Sequence, residues 1–165
     1  MKTPIQTPIP GQYWPEQSAH YAGPVAYPDG NVYALLLPDG FDTFGRLKWG
    51  KLGKEIKGAA SLHDGLANTA AMVKAASAAG KAVVAHNPDW YIPSRIEALQ
   101  LHATLQEKVG EGWVWTSTQY SALNAWYQGF GHGTQSIYNK DAELRAVAVR
   151  RLLLHSFSAS AQRAE

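Results

Sequence analysis

A chain of 165 residues with a formal charge of +2, of which 17% are charged and 45% hydrophobic, has the size of one domain and enough apolar residues to bury a core. No apolar run approaches the roughly 18 residues of a membrane span. The only basic cluster (Arg145, Arg150 and Arg151) is too thin for the electrostatic footprint of a nucleic-acid binder. The absence of cysteine excludes disulfides, thiolate metal sites and thiol nucleophiles. With an N-terminus too rich in proline for a signal peptide, it points to a protein made and folded in a cytoplasm. Six Trp and eight Tyr serve either as large core residues or as anchors on a binding face.

Residues 1–22 are expected to form an extended arm, because prolines stand at positions 4, 8, 10 and 15, with Pro24 and Pro28 just beyond. Tyr13, Trp14 and Tyr21 give the arm apolar surface to bury on its own body or on a neighbour. Asn31 to Leu37, between two P-D-G turn signals, reads as a buried strand. A short strand is expected around Leu47 to Trp49 in an otherwise irregular, Gly- and Lys-rich segment. A first helix is placed from Leu66 or Asn68 to Ala79, capped by Asp64 or Asn68 and stopped by Gly80, with Leu66, Ala70 and Val73 inward.

Ser94 and Glu97 form S-x-x-E directly after Pro93, the pattern of a capping box, so Glu97 reads as a helix cap and not as a general acid. The second helix is expected from Arg95 to about Lys108, with Ile96, Leu99 and Ala103 inward and Gly110 and Gly112 as the stop. Short aromatic strands follow. Trp113 and Trp115 share one face of the first, and Trp126, Gln128 and Phe130 share one face of the next. G-H-G (131–133) is a hairpin turn and T-Q-S-I-Y its return strand. Leu144 to Arg151 alternates as one strand, and residues 153–165 read as a tail. Trp90, Trp113 and Trp115 are assigned to the core.

Chemical motifs are sparse. The six histidines (20, 63, 86, 102, 132 and 155) show neither H-x-x-x-H nor H-x-x-E spacing, so they read as scattered surface residues. H-N-P-D-W (86–90) holds three possible ligands in a loop, although Asp89 also suits a turn. There is no G-x-S-x-G, no phosphate-binding loop and no dinucleotide fingerprint. No enzyme activity, metal or cofactor is therefore expected.

Five segments occur in a fixed order: L-H-D-G-L-A-N-T-A-A, D-W-Y-I-P-S-R-I-E-A-L, W-T-S-T-Q-Y, A-W-Y-Q-G-F and V-A-V-R-R. In these the chain resembles, over residues 20–152, the Lcl C-terminal domain family of bacteria and phages. The resemblance implies an α+β, C-type-lectin-like fold in residues 23–152, with two helices flanking small, mostly antiparallel sheets and the chain ends brought together. That family is similar in fold to formylglycine-generating enzymes and to phage receptor-binding proteins. The enzymes' oxygen chemistry needs cysteines, which this chain lacks, and the E-P-N, Q-P-D and W-N-D sequences of calcium-dependent lectins do not occur.

The resemblance thus implies a non-enzymatic binding module of phage or prophage type. Such a module is made in the bacterial host cytoplasm and carried on the virion, where it recognises a host surface or another virion protein. The alternative is a structural decoration or tail-assembly protein, able to form a homo-oligomer through its arm. By position in the lectin-like fold, the candidate ligand-binding residues are Gln119, Tyr120, Asn124, Trp126, Gln128, His132 and Gln135, whose amides, rings and hydroxyl offer adaptable hydrogen bonds and stackable faces.

Overall fold

The apolar run near residue 35 and the aromatic alternation after residue 113 fold into two separate sheets. The computed structural model describes residues 3–156 and is of mixed α+β class. β1 (Tyr13–Trp14), β2 (Ala19–Ala26) and β3 (Val32–Pro38) are joined by β9 (Arg150–His155) in the order β1-β2-β3-β9, every pair antiparallel. β2 and β3 turn through P-D-G, where the Asp29 carboxylate accepts the Asn31 N–H at 2.9 Å. Both faces of this sheet are covered. Leu35 and Leu37 enter one core, and Ala34 and Leu36 another with Trp14 and Tyr21. That is why V-Y-A-L-L-L runs apolar without alternating.

The second sheet holds β4 (Arg46–Lys48), β5 (Trp113–Gln119), β6 (Asn124–Gly129), β7 (Gln135–Asn139) and β8 (Glu143–Arg145), in the order β4-β8-β5-β6-β7. Only β5 and β8 run parallel, at Val114 and Arg145. Leu144 to Arg151 is therefore not one strand. It leaves the second sheet at Arg145 and joins the first at Arg150. Between them Val147 and Val149 fill one core and Ala146 and Ala148 the other. The alternation expected there is real, but it divides two cores instead of a core and solvent. β2 begins inside the stretch expected as arm, and β9 reaches His155, inside the stretch expected as tail; residues 157–165 lie outside the described residues.

The first expected helix is two: α1 (Gly65–Lys74), capped by Asp64, and α2 (Ala78–His86), capped by Ser77. Ala76 takes a left-handed φ of 61° at the break. Gly80 is not a stop. It sits inside α2 where a Cβ would come within 3.1 Å of the Met72 Cβ, so its lack of a side chain lets the two helices close. α1 buries Asn68, Thr69 and Met72, and leaves the expected Leu66 and Ala70 exposed. Its polar residues are buried because they are paired. Asn68 brackets the Ser61 backbone at 2.9 and 2.8 Å, and the Thr69 hydroxyl accepts the Ile92 N–H at 3.0 Å.

α3 (Arg95–Val109) starts at the expected capping box, with the Ser94 and Glu97 exchanges both formed. Its inward face is Glu97, Ala98, Leu101, Leu105 and Val109, while the expected Leu99 and Ala103 are exposed. What turns the helix is Glu97 itself, which is fully buried. One carboxylate oxygen accepts the N–H groups of Gly65 (2.9 Å) and Ser94 (3.1 Å); the other accepts the hydroxyls of Tyr27 (2.7 Å) and Tyr91. A Cβ on Gly65 would lie 2.5 Å from that carboxylate, so the start of α1 abuts the start of α3 only through glycine. Burial raises the pKa of Glu97 above the ordinary carboxylate value, and the hydrogen bonds from Tyr91, Tyr27 and Ser94 oppose that rise. Arg151 lies over the rings of Tyr27, Tyr33 and Tyr91 and pairs with Asp64 at 3.1 Å, closing the network toward solvent.

Replacing Glu97 by Gln keeps the shape but presents an amide N–H₂ to one pair of these donors. The change is expected to lower the unfolding free energy by about 1–3 kcal/mol, read as a shift of the urea midpoint at constant slope.

Candidate functional site

The seven candidate residues separate by depth. Gln119 and Gln128 are buried and belong to the framework. The Gln119 amide clamps the Ile56 backbone, accepting its N–H at 2.7 Å and donating to its C=O at 3.1 Å, and accepts the Lys140 amine at 2.6 Å. Gln128 accepts from Gln135 at 2.9 Å and donates to the Gly129 carbonyl at 3.0 Å. Both point inward because sheet two has α3 or the 50–61 loop over the face they occupy, so neither offers a contact to a ligand.

The other residues lie at or near the surface, in two places. Trp126, half-buried, carries the Arg95 guanidinium 3.6 Å above its ring and meets the exposed Tyr120 edge-on at 5.6 Å. Gln135 ties Arg95 in place, donating to its carbonyl at 2.8 Å and accepting its Nε at 3.0 Å. Asn124 stands at the base of this patch, where its carbonyl accepts the Tyr120 and Ser121 N–H groups, each at 3.0 Å. Arg95, the first residue of α3, is the centre of the group.

His132 is exposed at the opposite end of β6 and lines a cleft of about 390 Å³ with Glu111, Trp113, Tyr127 and Thr134. Trp113 is not core, as its position in the alternation implied; it is 48% exposed. It heads β5 opposite Gly129. With no side chain across from it, the indole lies flat on the neighbouring Tyr127, centroids 4.6 Å apart and planes within 18°, with Tyr138 tilted alongside at 5.7 Å. On its other side a second cleft of about 290 Å³ is lined by Arg46, Glu111, Leu144 and Arg145. Trp90 and Trp115 are buried as expected.

This platform is held from beneath. Arg145 donates to the carbonyls of Val109 (2.8 Å) and Glu111 (3.1 Å), fixing the G-E-G link into β5. Gln106 of α3 donates to the Phe130 carbonyl at 2.8 Å, fixing the G-H-G hairpin. Gly133 has a φ of 78°, and a Cβ there would meet the His102 ring at 2.8 Å, so glycine is required at the turn. Tyr138 could not be singled out from the sequence. For Trp113 the one available signal was its place at a strand start after G-E-G, opposite a glycine.

Chemically the arrangement presents stacking surface with a polar rim. Among the described residues no three His, Cys, Asp or Glu side chains converge as metal ligands, and no helix is long and apolar enough to cross a membrane. Glu97, the most perturbed carboxylate, is enclosed by its four donors and faces no cleft. Compared with known proteins, the chain matches no family model and no curated sequence.

Lys140, fully buried between Gln119, the Lys54 carbonyl (2.8 Å) and the Trp49 ring (4.9 Å), supplies a pH test of this framework. Burial lowers its pKa from 10.5 to about 8, against the pull of Glu55. The unfolded chain then keeps a proton that the folded chain has lost, so between pH 8 and about 10 this group makes stability rise with pH. Lys140→Met is expected to flatten that rise in chemical unfolding measured across the same interval.

Proposed function

We propose that the chain is a non-enzymatic binding module of C-type-lectin-like fold, related to the Lcl C-terminal domain family and carried on a phage or prophage virion, and that its ligand face is the Trp113 platform. Several features support the fold reading. The last strand returns to pair with β3 in the first sheet, a second, five-stranded sheet carries the aromatic strands, and the helices pack over both. The observation that carries the function is the exposure of Trp113. A stacked indole left open between two clefts, at the head of β5 and beside segments tied down by Arg145 and Gln106, is a pre-organised anchor of the kind that dominates recognition surfaces. Tyr138, His132 and Thr134 supply the adaptable polar rim. The ligand is a host-surface component or another virion protein.

Trp113→Ala is expected to reduce adsorption of the purified protein to host cells, or its capture by purified particles, by tenfold or more. Because the indole is half exposed, the unfolding free energy should change by only about 1 kcal/mol. Tyr120→Ala, on the Arg95 patch, should leave binding intact. The reverse pattern would move the ligand face to Trp126 and Arg95, and unchanged binding in both variants would remove sheet two from the reading.

A further inference from the structure

The binding face leaves unused an exposed arm at one edge of the first sheet and, at the other, the strand β9 with its leucine stretch 152–154. Residues 3–10 run ahead of β1 with Ile5 45% and Ile9 68% exposed. Among the described residues, no backbone group of residues 3–8 is paired with another backbone group. The arm is a tandem repeat, Thr3-Pro4-Ile5 and Thr7-Pro8-Ile9, closed by Pro10. All three prolines stand at even positions.

In an extended strand, successive N–H groups point to opposite edges and successive side chains to opposite faces. The prolines therefore remove donors from one edge alone. Thr3, Ile5, Thr7 and Ile9 keep their donors on the other edge and share a face. The arm is thus built to pair along one edge and to refuse a further strand on the other.

The far edge of the sheet offers an acceptor. Among the described residues β9 is last in the order; Arg150 and Arg151 open it, its Leu152–Leu154 stretch carries no proline, glycine or charge of the kind that blunts exposed edges, and Leu153 is 43% exposed. Beside it two clefts of about 540 and 250 Å³ adjoin, sharing Leu66 and Pro88. The larger is lined by Tyr33 and Leu153 together with Asp89, Arg150 and Arg151; the other is apolar and reaches Val73, Val84 and Trp90. Ile5 and Ile9 stand about 13 Å apart on one face of an extended chain. Within one copy β2 and β3 separate β1 from β9, so the arm leaves the sheet at the edge away from this trough.

We propose that residues 3–10 of one copy add as a strand to the free edge of β9 in a second copy, seating Ile5 and Ile9 in the trough along Leu153, Leu66 and Trp90. Main-chain pairing supplies the affinity and the two isoleucines the register. The contact joins different surfaces, so it closes into a ring or continues as a filament. Several Trp113 platforms would then be held together, raising avidity for a repeated ligand without any new contact.

The test uses full-length chains in size-exclusion chromatography with light scattering. Wild type is expected to run at twice the single-chain mass or more. Ile5→Asp/Ile9→Asp and Leu153→Lys should each run as one chain, with unchanged far-UV circular dichroism. Mixed together, the two variants should form a capped pair of one chain each, since the first keeps the trough and the second keeps the arm. If Leu153→Lys disturbs β9, Leu66→Lys on the exposed face of α1 serves as the trough variant. A monomeric wild type, an oligomer that survives Ile5→Asp/Ile9→Asp, or variants that stay single on mixing would each overturn the proposal. The second of these outcomes would point instead to direct β9–β9 pairing.

Discussion

The structure hangs on one buried carboxylate. Glu97 receives the first turn of α1, the cap of α3, the end of β2 through Tyr27 and the 90–93 segment through Tyr91. An ionised group in an apolar interior is tolerated only when its acceptor capacity is filled. Filling it requires four elements from distant parts of the chain to converge on one point. Packing alone would admit many ways to lay three helices against two sheets; the demand for four donors removes most of them. Arg151 then completes the site by placing a cation over the three tyrosine rings and tying β9 to the start of α1.

The same economy explains the second sheet. Gln119, Gln128 and Lys140 are buried polar residues, each matched to backbone or amide partners. They make the interior specific and leave the aromatic surface outside free of structural duty. Arg145 holds the segment before β5 and Gln106 the turn after β6 by donating to their carbonyls. A surface supported in this way loses little conformational freedom when it binds, which is the physical ground for reading Trp113 as an anchor.

Much of the chain's order was legible because local rules decided it. The S-R-I-E box set the start of α3, the P-D-G turns bounded β3, and G-H-G closed the β6–β7 hairpin. Where a side chain's face depended on a distant partner, the pattern misled. Leu66, Leu99 and Trp113 look like core residues by spacing but stand exposed, while Asn68, Glu97, Gln119 and Gln128 look like surface residues but are buried. The break between α1 and α2 was hidden for a related reason. An alanine run carries no stop signal, and Gly80, the one residue that resembled a stop, is demanded by the approach of Met72.

Composition, turn chemistry and capping thus determined by themselves the proline-rich N-terminal segment, the capped start of α3 and the aromatic strand region, because each of those properties is fixed within a few residues. Which sheet each strand joined was decided only by the tertiary structure. So was the division of residues 146–149 between two cores, and so was the choice of Trp113, instead of Trp126 or Gln128, as the open surface. Those outcomes depend on burial and on hydrogen-bond partners as far as 133 residues apart, as in the bond from Arg150 to Gln17, and no local pattern carries that information.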